Sequence, residues 1–356
     1  MEMGSSLVSS KMPRLSICIP TYNRSTFLAD LLDSILAENP SDALEIVVAD
    51  DASPDDTAEM IERYRDRFAH FKYIRHPRNI GLDLNFLAVV EAATGDYVWL
   101  FGDDDIVSVG GLTTVLACLD RWPGVCGLTL GVADYDFGMK KPVGIRQMPE
   151  TQVVNGLPAL FLSAIEHLGF MSALVFERKA WCEVVEECDL NKFKNYYVQL
   201  YIIGEMVKRR EKWGLISEIC VKFRTENDQF LSKLGWMDRL SVDVFAYKAI
   251  IETFFGDSPN ISNVLNAKIF KFHIMARIKN ARSSNVGEFD AFKTIKFLYP
   301  HYKHVKEFWL AGVPMLIAPT GAMKMARKLY QRWAPNSGAR RATQLIRSTD
   351  ARRTIL

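Results

Sequence analysis

The chain has 356 residues, 49% of them apolar, and is therefore long enough to bury at least one full core. Its formal net charge of +2 argues against a general affinity for nucleic acid. No uncharged apolar run reaches the roughly 20 residues of a membrane-spanning helix, and the N-terminus lacks the apolar region of a secretory signal. Six cysteines without a CxxC pair fit a reducing compartment, so we expect a cytoplasmic protein.

Short apolar runs alternate with helical spacing over the first hundred residues. The predicted strands are 15–20, 44–50, 71–75 and 97–101, and the predicted helices are 26–37, 55–68 and 84–93. This alternation predicts an α/β fold with a mostly parallel sheet flanked by helices. Ligands of such sheets bind at the carboxyl ends of the strands.

The pattern is looser after residue 110. It predicts helices at 112–120 and 195–210, strands at 125–130, 171–177 and 216–223, and helical spacing from 239 to 333. We divide the chain into a disordered lead-in at 1–13, an α/β domain at 14–235 with halves at 14–115 and 116–235, a helical C-terminal extension at 236–335 and a basic disordered tail at 336–356.

Polar clusters follow four of the predicted strands. They are 20–24 (PTYNR), 50–51 (DD), 78–81 (RNIG) and 103–105 (DDD). Because the carboxyl ends of parallel strands meet at one edge of a sheet, we expect these side chains to lie close together.

The aspartate run at 103–105 directly follows an apolar strand. Three adjacent carboxylates repel one another unless a cation lies among them. Mg²⁺ and Mn²⁺ commonly use one or two carboxylates together with substrate phosphates, so the run predicts a divalent metal site. As a loop carboxylate, Asp105 is expected to contribute little to the core. A solvated acidic loop or a helix cap is the alternative.

The other clusters suit a nucleotide. Asp50 and Asp51 end a buried strand, where a carboxylate can accept hydrogen bonds from a base or ribose, although one of them also suits a helix cap. The segment 20–24 offers a stacking ring, an amide and a cation. The segment 78–81 places a cation and a flexible glycine before a helix, whose N-terminus favours anions.

A resemblance to family 2 inverting glycosyltransferases with the GT-A (nucleotide-diphospho-sugar transferase) fold is carried by four motifs in succession: IPTYNR, VVADDASPDDT, HPRNIGLDLNF and GDYVWLFGDDD. The Gly-Asp-Asp-Asp run is similar to that of bacterial O-antigen enzymes of the abequosyltransferase type. The resemblance covers residues 14–115 and continues more weakly through 170–181.

The resemblance implies a metal-dependent enzyme that moves a sugar from a nucleotide-diphosphate donor to a lipid-linked oligosaccharide acceptor in bacterial surface polysaccharide synthesis. By position it implies these nucleotide-sugar-binding residues: Pro20, Thr21, Tyr22, Asn23, Arg24, Asp50, Asp51, Arg78, Asn79, Gly81, Asp103 and Asp104. It implies Mn²⁺ or Mg²⁺ held by Asp103 and Asp105. Because Gly102 stands where the family usually has its first aspartate, Asp104 stays an alternative ligand.

The catalytic base is less clear from the sequence. Family members usually carry a Glu-Asp pair near a helix start after the strand predicted at 171–177, and the corresponding stretch 195–200 holds no carboxylate. Inversion by direct displacement needs a group that takes the acceptor proton. The nearest candidates are Asp189, Glu187, Glu205 and His167.

Two other functions stay open beside the transferase. The missing Glu-Asp pair would fit a non-catalytic, membrane-associated scaffold that binds a nucleotide sugar without turning it over. A sugar-phosphate nucleotidyltransferase also has a parallel sheet and metal carboxylates. That class is marked by a glycine-rich loop with Arg and Lys after the first strand, and the segment 19–26 has no glycine.

The C-terminal segment concentrates positive charge. Between Lys324 and Arg353 there are nine basic residues against the single acid Asp350, and they follow the short apolar run 308–319. An apolar and aromatic face beside basic residues is typical of a helix on an anionic membrane. We therefore expect peripheral attachment to the cytoplasmic face of the inner membrane, with a helix packed on the domain as the alternative.

Overall fold

In the computed structural model of the protein, the described residues are 12–227, 235–283 and 289–319, together with Gly321 and Met325. Most of the predicted lead-in, the predicted basic tail at 336–356 and the basic residues between 324 and 332 lie outside them. No helix within these ranges combines the length and the apolar character needed to cross a membrane.

Strands and helices alternate through the first half of the chain, and helices follow in the second. The strands are β1 (Leu15–Thr21), β2 (Leu44–Asp50), β3 (His70–Arg75), β4 (Tyr97–Leu100), β5 (Ile106–Val107), β6 (Gly127–Tyr135), β7 (Pro142–Arg146), β8 (Gln152–Asn155), β9 (Leu174–Glu177) and β10 (Lys212–Arg224). The α-helices are α1 (Ser25–Leu36), α2 (Thr57–Glu62), α3 (Leu82–Ala92), α4 (Gly111–Arg121), α5 (Leu157–Leu168), α6 (Arg178–Glu187), α7 (Val198–Arg210), α8 (Trp236–Phe255), α9 (Pro259–Ile269), α10 (Met275–Ser283), α11 (Ala291–Tyr302) and α12 (Val313–Ile317).

The strands form one sheet in the order β3-β2-β1-β4-β9-β6-β10-β5, with β7 beside β6 and β8 beside β10. Strands β3, β2, β1 and β4 pair in parallel. Strand β9 runs antiparallel between β4 and β6, and β10 is parallel to β6. The predicted mostly parallel sheet flanked by helices is therefore confirmed.

The sheet has a core on each face. Every residue of β1 and β2 is buried, as expected of strands covered on both sides. Helices α1, α2 and α4 cover one face with residues such as Leu31 and Val115. Helices α3, α5 and α7 cover the other, and the C-terminal helices continue that core through residues such as Tyr247 and Phe308.

Some elements differ from the sequence expectations. Helix α2 ends at Glu62, and a 3₁₀ turn at Arg65–Arg67 replaces its predicted last turn. The helix predicted from 195 begins at Val198, because Tyr196 has a φ of 73°, which a helix does not allow. Strands β7 and β8 and helices α5 and α6 were not predicted.

Candidate active site

The first three motifs meet at the carboxyl edge of the sheet because the strands end level with one another. In the strand register Thr21 of β1 lies beside Asp50 of β2, and Asp50 lies beside Arg75 of β3. Strand β4 is the other parallel neighbour of β1, and the aspartate run follows it directly. The edge therefore collects polar groups from loops that are distant in sequence.

A single guanidinium group joins two of the three consecutive aspartates. Arg24 Nη1 lies 3.1 Å from Asp103 Oδ1 and 2.8 Å from Asp104 Oδ2. Thr21 Oγ1 donates to Asp103 Oδ2 at 2.8 Å. Arg24 Nη2 also donates to the backbone oxygen of Asn227 at 2.9 Å, and the Asn227 amide donates to Asp104 Oδ2 at 2.8 Å. The cluster thus ties β1 and β4 to the loop after β10.

The buried carboxylate of Asp103 and the half-buried carboxylate of Asp104 share one half-buried cation, which leaves negative charge in the cluster. Burial raises the pKa of Asp103 to about 6, a shift that Arg24 opposes and Asp104 increases. A carboxylate in this position favours a further cation. Among the described residues no three His, Cys, Asp or Glu side chains converge as a complete metal cage. Asp103 and Asp104 could supply two carboxylate ligands, and divalent ions commonly combine one or two carboxylates with substrate phosphates.

Asp105 has other partners than Asp103 and Asp104. Ser172 Oγ donates to its Oδ2 at 2.5 Å and the backbone N–H of Arg224 donates to its Oδ1 at 3.2 Å. Burial, followed by the neighbouring Asp104, raises the pKa of this carboxyl well above its usual value. Asp105 is only 2% exposed, so the expectation that it contributes little to the core is wrong.

The surroundings of Asp105 also explain why the run begins with glycine. The backbone N–H of Gly102 donates to Ser172 Oγ at 2.9 Å. A Cβ atom at Gly102 would lie 3.1 Å from that oxygen and 3.2 Å from Asp105 Oδ2. A fourth aspartate at this position would therefore crowd the carboxylate that is already buried there.

Asp51 connects the second motif with the third. Its Oδ1 accepts the backbone N–H of Ile80 at 2.6 Å and its Oδ2 accepts that of Gly81 at 3.0 Å. Gly81 has a φ of 87°, which favours glycine at the start of α3. Arg78 and Asn79 lie exposed on the same loop. Asp51 therefore fixes the loop that carries the third motif.

Asp50 is fully buried beneath this loop. Tyr73 donates its hydroxyl to Asp50 Oδ2 at 2.7 Å, and the backbone N–H of Ser53 donates to Oδ1 at 2.8 Å. Ser53 Oγ in turn accepts the backbone N–H of Asn23 at 2.9 Å, where the chain turns with a φ of 57°. These bonds hold the segment after β1 against the segment after β2.

The remaining members of the first motif lie on either side of that turn. Pro20 is buried within β1, level with Ala49 of β2. Tyr22 is half-buried and Asn23 is exposed. The ring of Tyr22 and the side-chain amide of Asn23 therefore lie just after the carboxyl end of β1, with access to solvent.

Of the candidate bases predicted from the sequence, His167 lies on α5, Glu187 ends α6, Asp189 lies in the loop after α6 and Glu205 lies on α7. Glu187 pairs with Arg209 at 2.7 Å, and Glu205 pairs with Lys208 at 3.1 Å. Asp189 accepts the backbone N–H of Asn191 at 3.0 Å. Each of these carboxylates therefore already has a partner within the chain.

His167 is the fourth candidate and lies in the last turn of α5. Burial, followed by the charges of Arg146, His273 and Lys268, lowers its pKa to about 4. The imidazole is therefore neutral at physiological pH.

Sequence reasoning missed a carboxylate that contacts the backbone just before α7. Asp83, in the first turn of α3, accepts the backbone N–H of Tyr196 at 2.9 Å. Burial raises its pKa above the usual value, while hydrogen bonds from the backbone of Tyr196 and Val198 oppose that shift. In the sequence, Asp83 looks like an ordinary acidic residue in the first turn of a helix, so nothing there marked it as a possible base. Ser172, Arg224 and Asn227 were missed because they reach the aspartates from distant loops.

Known proteins resemble this chain in sequence and in fold. The family model described as "Glycosyl transferase family 2" matches residues 16–174. The chain is 30% identical to the abequosyltransferase RfbV of Salmonella typhimurium over 260 residues, which cover 70% of this chain and 77% of the relative. It is 35% identical to the GalNAc(5)-diNAcBac-PP-undecaprenol beta-1,3-glucosyltransferase of Campylobacter jejuni over 114 residues, 30% of this chain and 34% of that protein.

A solved structure shows a similar fold at low sequence identity. The mannosyltransferase PcManGT from Pyrobaculum calidifontis, in complex with GDP-Man and Mn²⁺, matches with a TM-score of 0.52 and 16% identity, covering 88% of this chain and 87% of that chain.

The sheet, its flanking helices and the acidic strand edge define a glycosyltransferase of the GT-A fold. The chain belongs to glycosyl transferase family 2. This membership favours a transferase over the scaffold and the nucleotidyltransferase that the sequence had left as alternatives.

Proposed function

We propose that this glycosyltransferase is a metal-dependent, inverting enzyme that transfers a sugar from a nucleotide-diphosphate donor to a lipid-linked oligosaccharide acceptor. The observation that carries the proposal is the pair Asp103 and Asp104, which shares the guanidinium of Arg24 at the sheet edge. A divalent cation and a diphosphate complement such a site.

The nucleotide would occupy the edge formed by β1, β2 and the loop before α3. Tyr22 lies at the rim with a ring that can stack on a base, and Asp51 holds the loop 78–81 in place through two backbone bonds. The N-terminus of α3 would add partial positive charge for a diphosphate bound at this edge. The complex of PcManGT with GDP-Man supports a nucleotide sugar as the donor.

The metal would be held by Asp103 and Asp104, as Mn²⁺ or Mg²⁺. Such an ion, when bound, neutralises the negative charge that develops on the leaving diphosphate. Asp105, the ligand implied with Asp103 by the sequence, would instead fix the turn that presents the other two carboxylates, because its oxygens accept from Ser172 and Arg224. The Mn²⁺ in the PcManGT complex supports a divalent cation.

The acceptor hydroxyl must lose its proton as the new bond forms. A carboxylate with a raised pKa is the better general base near neutral pH, and half-buried Asp83 has such a pKa because of its partial burial. Glu187 and Glu205 are paired with cations, which makes them weaker bases. We therefore add Asp83 to the four candidates from the sequence and place it first.

The acceptor class is proposed from a relative. The Campylobacter jejuni protein is, by its name, a transferase that acts on an undecaprenol-linked glycan. A lipid-linked acceptor would bring this chain to the cytoplasmic face of the inner membrane, where it would serve bacterial surface polysaccharide synthesis such as that of an O-antigen.

The test is donor turnover by the purified protein. Incubation with a panel of nucleotide-diphosphate sugars should release nucleotide diphosphate from one of them in the presence of Mn²⁺ or Mg²⁺, and a chelator should suppress the release. Asp104→Ala should bind the donor more weakly and release no product. Turnover that is unchanged by the chelator and by Asp104→Ala would contradict the proposal.

A further inference from the structure

One surface of the C-terminal helices exposes large apolar side chains together with lysines. We call it the lysine–aromatic face and define it by Phe292, Lys296, Tyr299, Lys303, Trp309, Leu310 and Ile317. Phe292, Lys296 and Tyr299 of α11 and the C-cap residue Lys303 recur at spacings of four, three and four residues, which places them in one stripe along the helix. Phe292 and Leu310 are 76% and 77% exposed, and Ile317 is 63% exposed.

The face is continuous across the turn that follows α11. The rings of Tyr299 and Trp309 meet edge to face, with centroids 6.0 Å apart. Trp309 Nε1 donates to the backbone oxygen of Lys303 at 2.8 Å, and Lys303 Nζ lies 5.8 Å from the centre of the Tyr299 ring. These contacts hold two aromatic rings and a cation in one surface.

The opposite side of the same segment is part of the core. Leu298 and Tyr302 of α11, Phe308 of the π-helix Phe308–Gly312 and Leu316 of α12 are all buried. The segment therefore has enough inward apolar residues to fix it against the domain. The outward apolar residues are not needed for that packing, so they need another explanation.

The same segment carries a net positive charge. Between residues 290 and 319 there are four lysines, at 293, 296, 303 and 306, against Asp290 and Glu307. Asp290 already accepts the backbone N–H of Lys293 at the start of α11. The lysines and the aromatic rings thus share the exposed side.

We propose that the lysine–aromatic face docks the protein on an anionic lipid bilayer. Tyr and Trp rings favour the boundary between headgroups and acyl chains, and lysines place their charge among anionic headgroups while their stems cover apolar surface. Leu310 and Ile317 would enter the acyl boundary, as residues of interfacial helices do. The docking does not rest on the proposed transfer reaction, although it would bring the strand-edge site to a lipid-linked acceptor.

Charge argues against the other occupants of this face. A second copy related by a two-fold axis would bring a face of the same net positive charge against this one. The rest of the chain after residue 325 is also basic, with Asp350 as its single acid. An anionic surface is therefore the complementary partner.

The test is co-sedimentation of the full chain with lipid vesicles. The wild type should bind vesicles that contain phosphatidylglycerol and should bind pure phosphatidylcholine at least tenfold more weakly. Lys296→Gln and Lys303→Gln together should lower binding to the anionic vesicles roughly thirtyfold, at about 1 kcal/mol for each lysine. The double variant Leu310→Ser, Ile317→Ser should lower it at least tenfold on both.

Matched controls come from exposed residues of the α/β domain. Val109 and Val143 are 59% and 51% exposed on the α/β domain, and changing both to Ser should leave vesicle binding unchanged. The exposed lysines Lys140 and Lys141, changed to Gln, provide the charge control. Equal loss in these controls would show a general charge or solubility effect and would overturn the proposal.

Two further outcomes would also overturn it. The first is a wild type that binds neither vesicle. The second is self-association of the wild type in sedimentation equilibrium that Leu310→Ser, Ile317→Ser abolishes, which would make the face a dimer interface. Vesicle binding without any donor turnover would instead support the docking and contradict only the proposed reaction.

Discussion

The hydroxyl of Tyr197 donates a 2.6 Å hydrogen bond to Asp243, so the start of α7 is attached to the first helix of the C-terminal region. Asp243 is fully buried and also pairs with Arg239 and with Arg277, the latter at 2.7 Å. Burial would raise the pKa of this carboxyl, but the two guanidinium groups outweigh burial and lower it. The carboxylate therefore connects three helices as an anion.

Replacing this carboxylate should destabilise the fold more than any surface change. Asp243→Asn would remove the anion that buried Arg239 and half-buried Arg277 share, which we expect to lower the free energy of unfolding by about 3–5 kcal/mol. Tyr197→Phe should cost about 1 kcal/mol, the usual value of one hydrogen bond. Urea denaturation measures both.

A matched control is the exposed pair of Lys248 and Glu252, 3.6 Å apart on α8. Glu252→Gln should change the free energy of unfolding by less than about 0.5 kcal/mol. A cost for Asp243→Asn no larger than that of this control would show that the buried pairing contributes nothing.

Arg24 should compete with a metal ion for the same two carboxylates. Arg24→Gln removes the cation that Asp103 and Asp104 share, so the apo protein should become less stable and its melting temperature should rise more on addition of Mn²⁺ than that of the wild type. Thermal melting in chelator and in Mn²⁺, without nucleotide, measures the difference. An equal rise in both proteins would mean that the carboxylates do not take up the ion.

The sequence identified the strand edge because its signals are local. Strands β1 and β2 are buried on both faces and therefore read as largely apolar runs, and a polar cluster lies where each run ends. The contacts within the edge are not local. Arg24 reaches Asn227, and Asp83 reaches Tyr196 over 113 positions, and no periodicity encodes either pairing.

The two aspartates at the end of the run should respond differently to replacement. Asp104→Ala removes a carboxylate whose partners are Arg24 and Asn227, so metal-dependent donor turnover should disappear with little loss of stability. Asp105→Ala leaves the Ser172 hydroxyl and the Arg224 N–H buried without an acceptor, which should cost about 2 kcal/mol of stability as well as activity. Donor hydrolysis and urea denaturation of both variants decide this. Equal stability of the two variants would contradict the assignment.

Asp83→Asn should separate catalysis from structure at the start of α7. The amide oxygen of Asn can still accept the N–H of Tyr196, so the fold and donor binding should be retained, while loss of a general base should lower kcat at least a hundredfold. Glu187→Gln, Glu205→Gln and Asp189→Asn serve as comparisons. A hundredfold loss in one of these instead of in Asp83→Asn would move the role of base to that residue.

The pH dependence of stability should depend on His167. Its pKa of about 4 in the folded protein lies below the ordinary value of 6.5, because burial and then the charges of Arg146, His273 and Lys268 disfavour the protonated ring. A basic group with a lowered pKa contributes stability above the unfolded value, and this contribution is lost as the pH falls from 6.5 towards 4. We therefore expect His167→Gln to lose less stability than the wild type over this interval, by no more than about 3 kcal/mol. Urea denaturation at several pH values measures the difference, and the exposed His304→Gln is the control. Parallel curves for the wild type and His167→Gln would show that the ring is not held neutral by the fold.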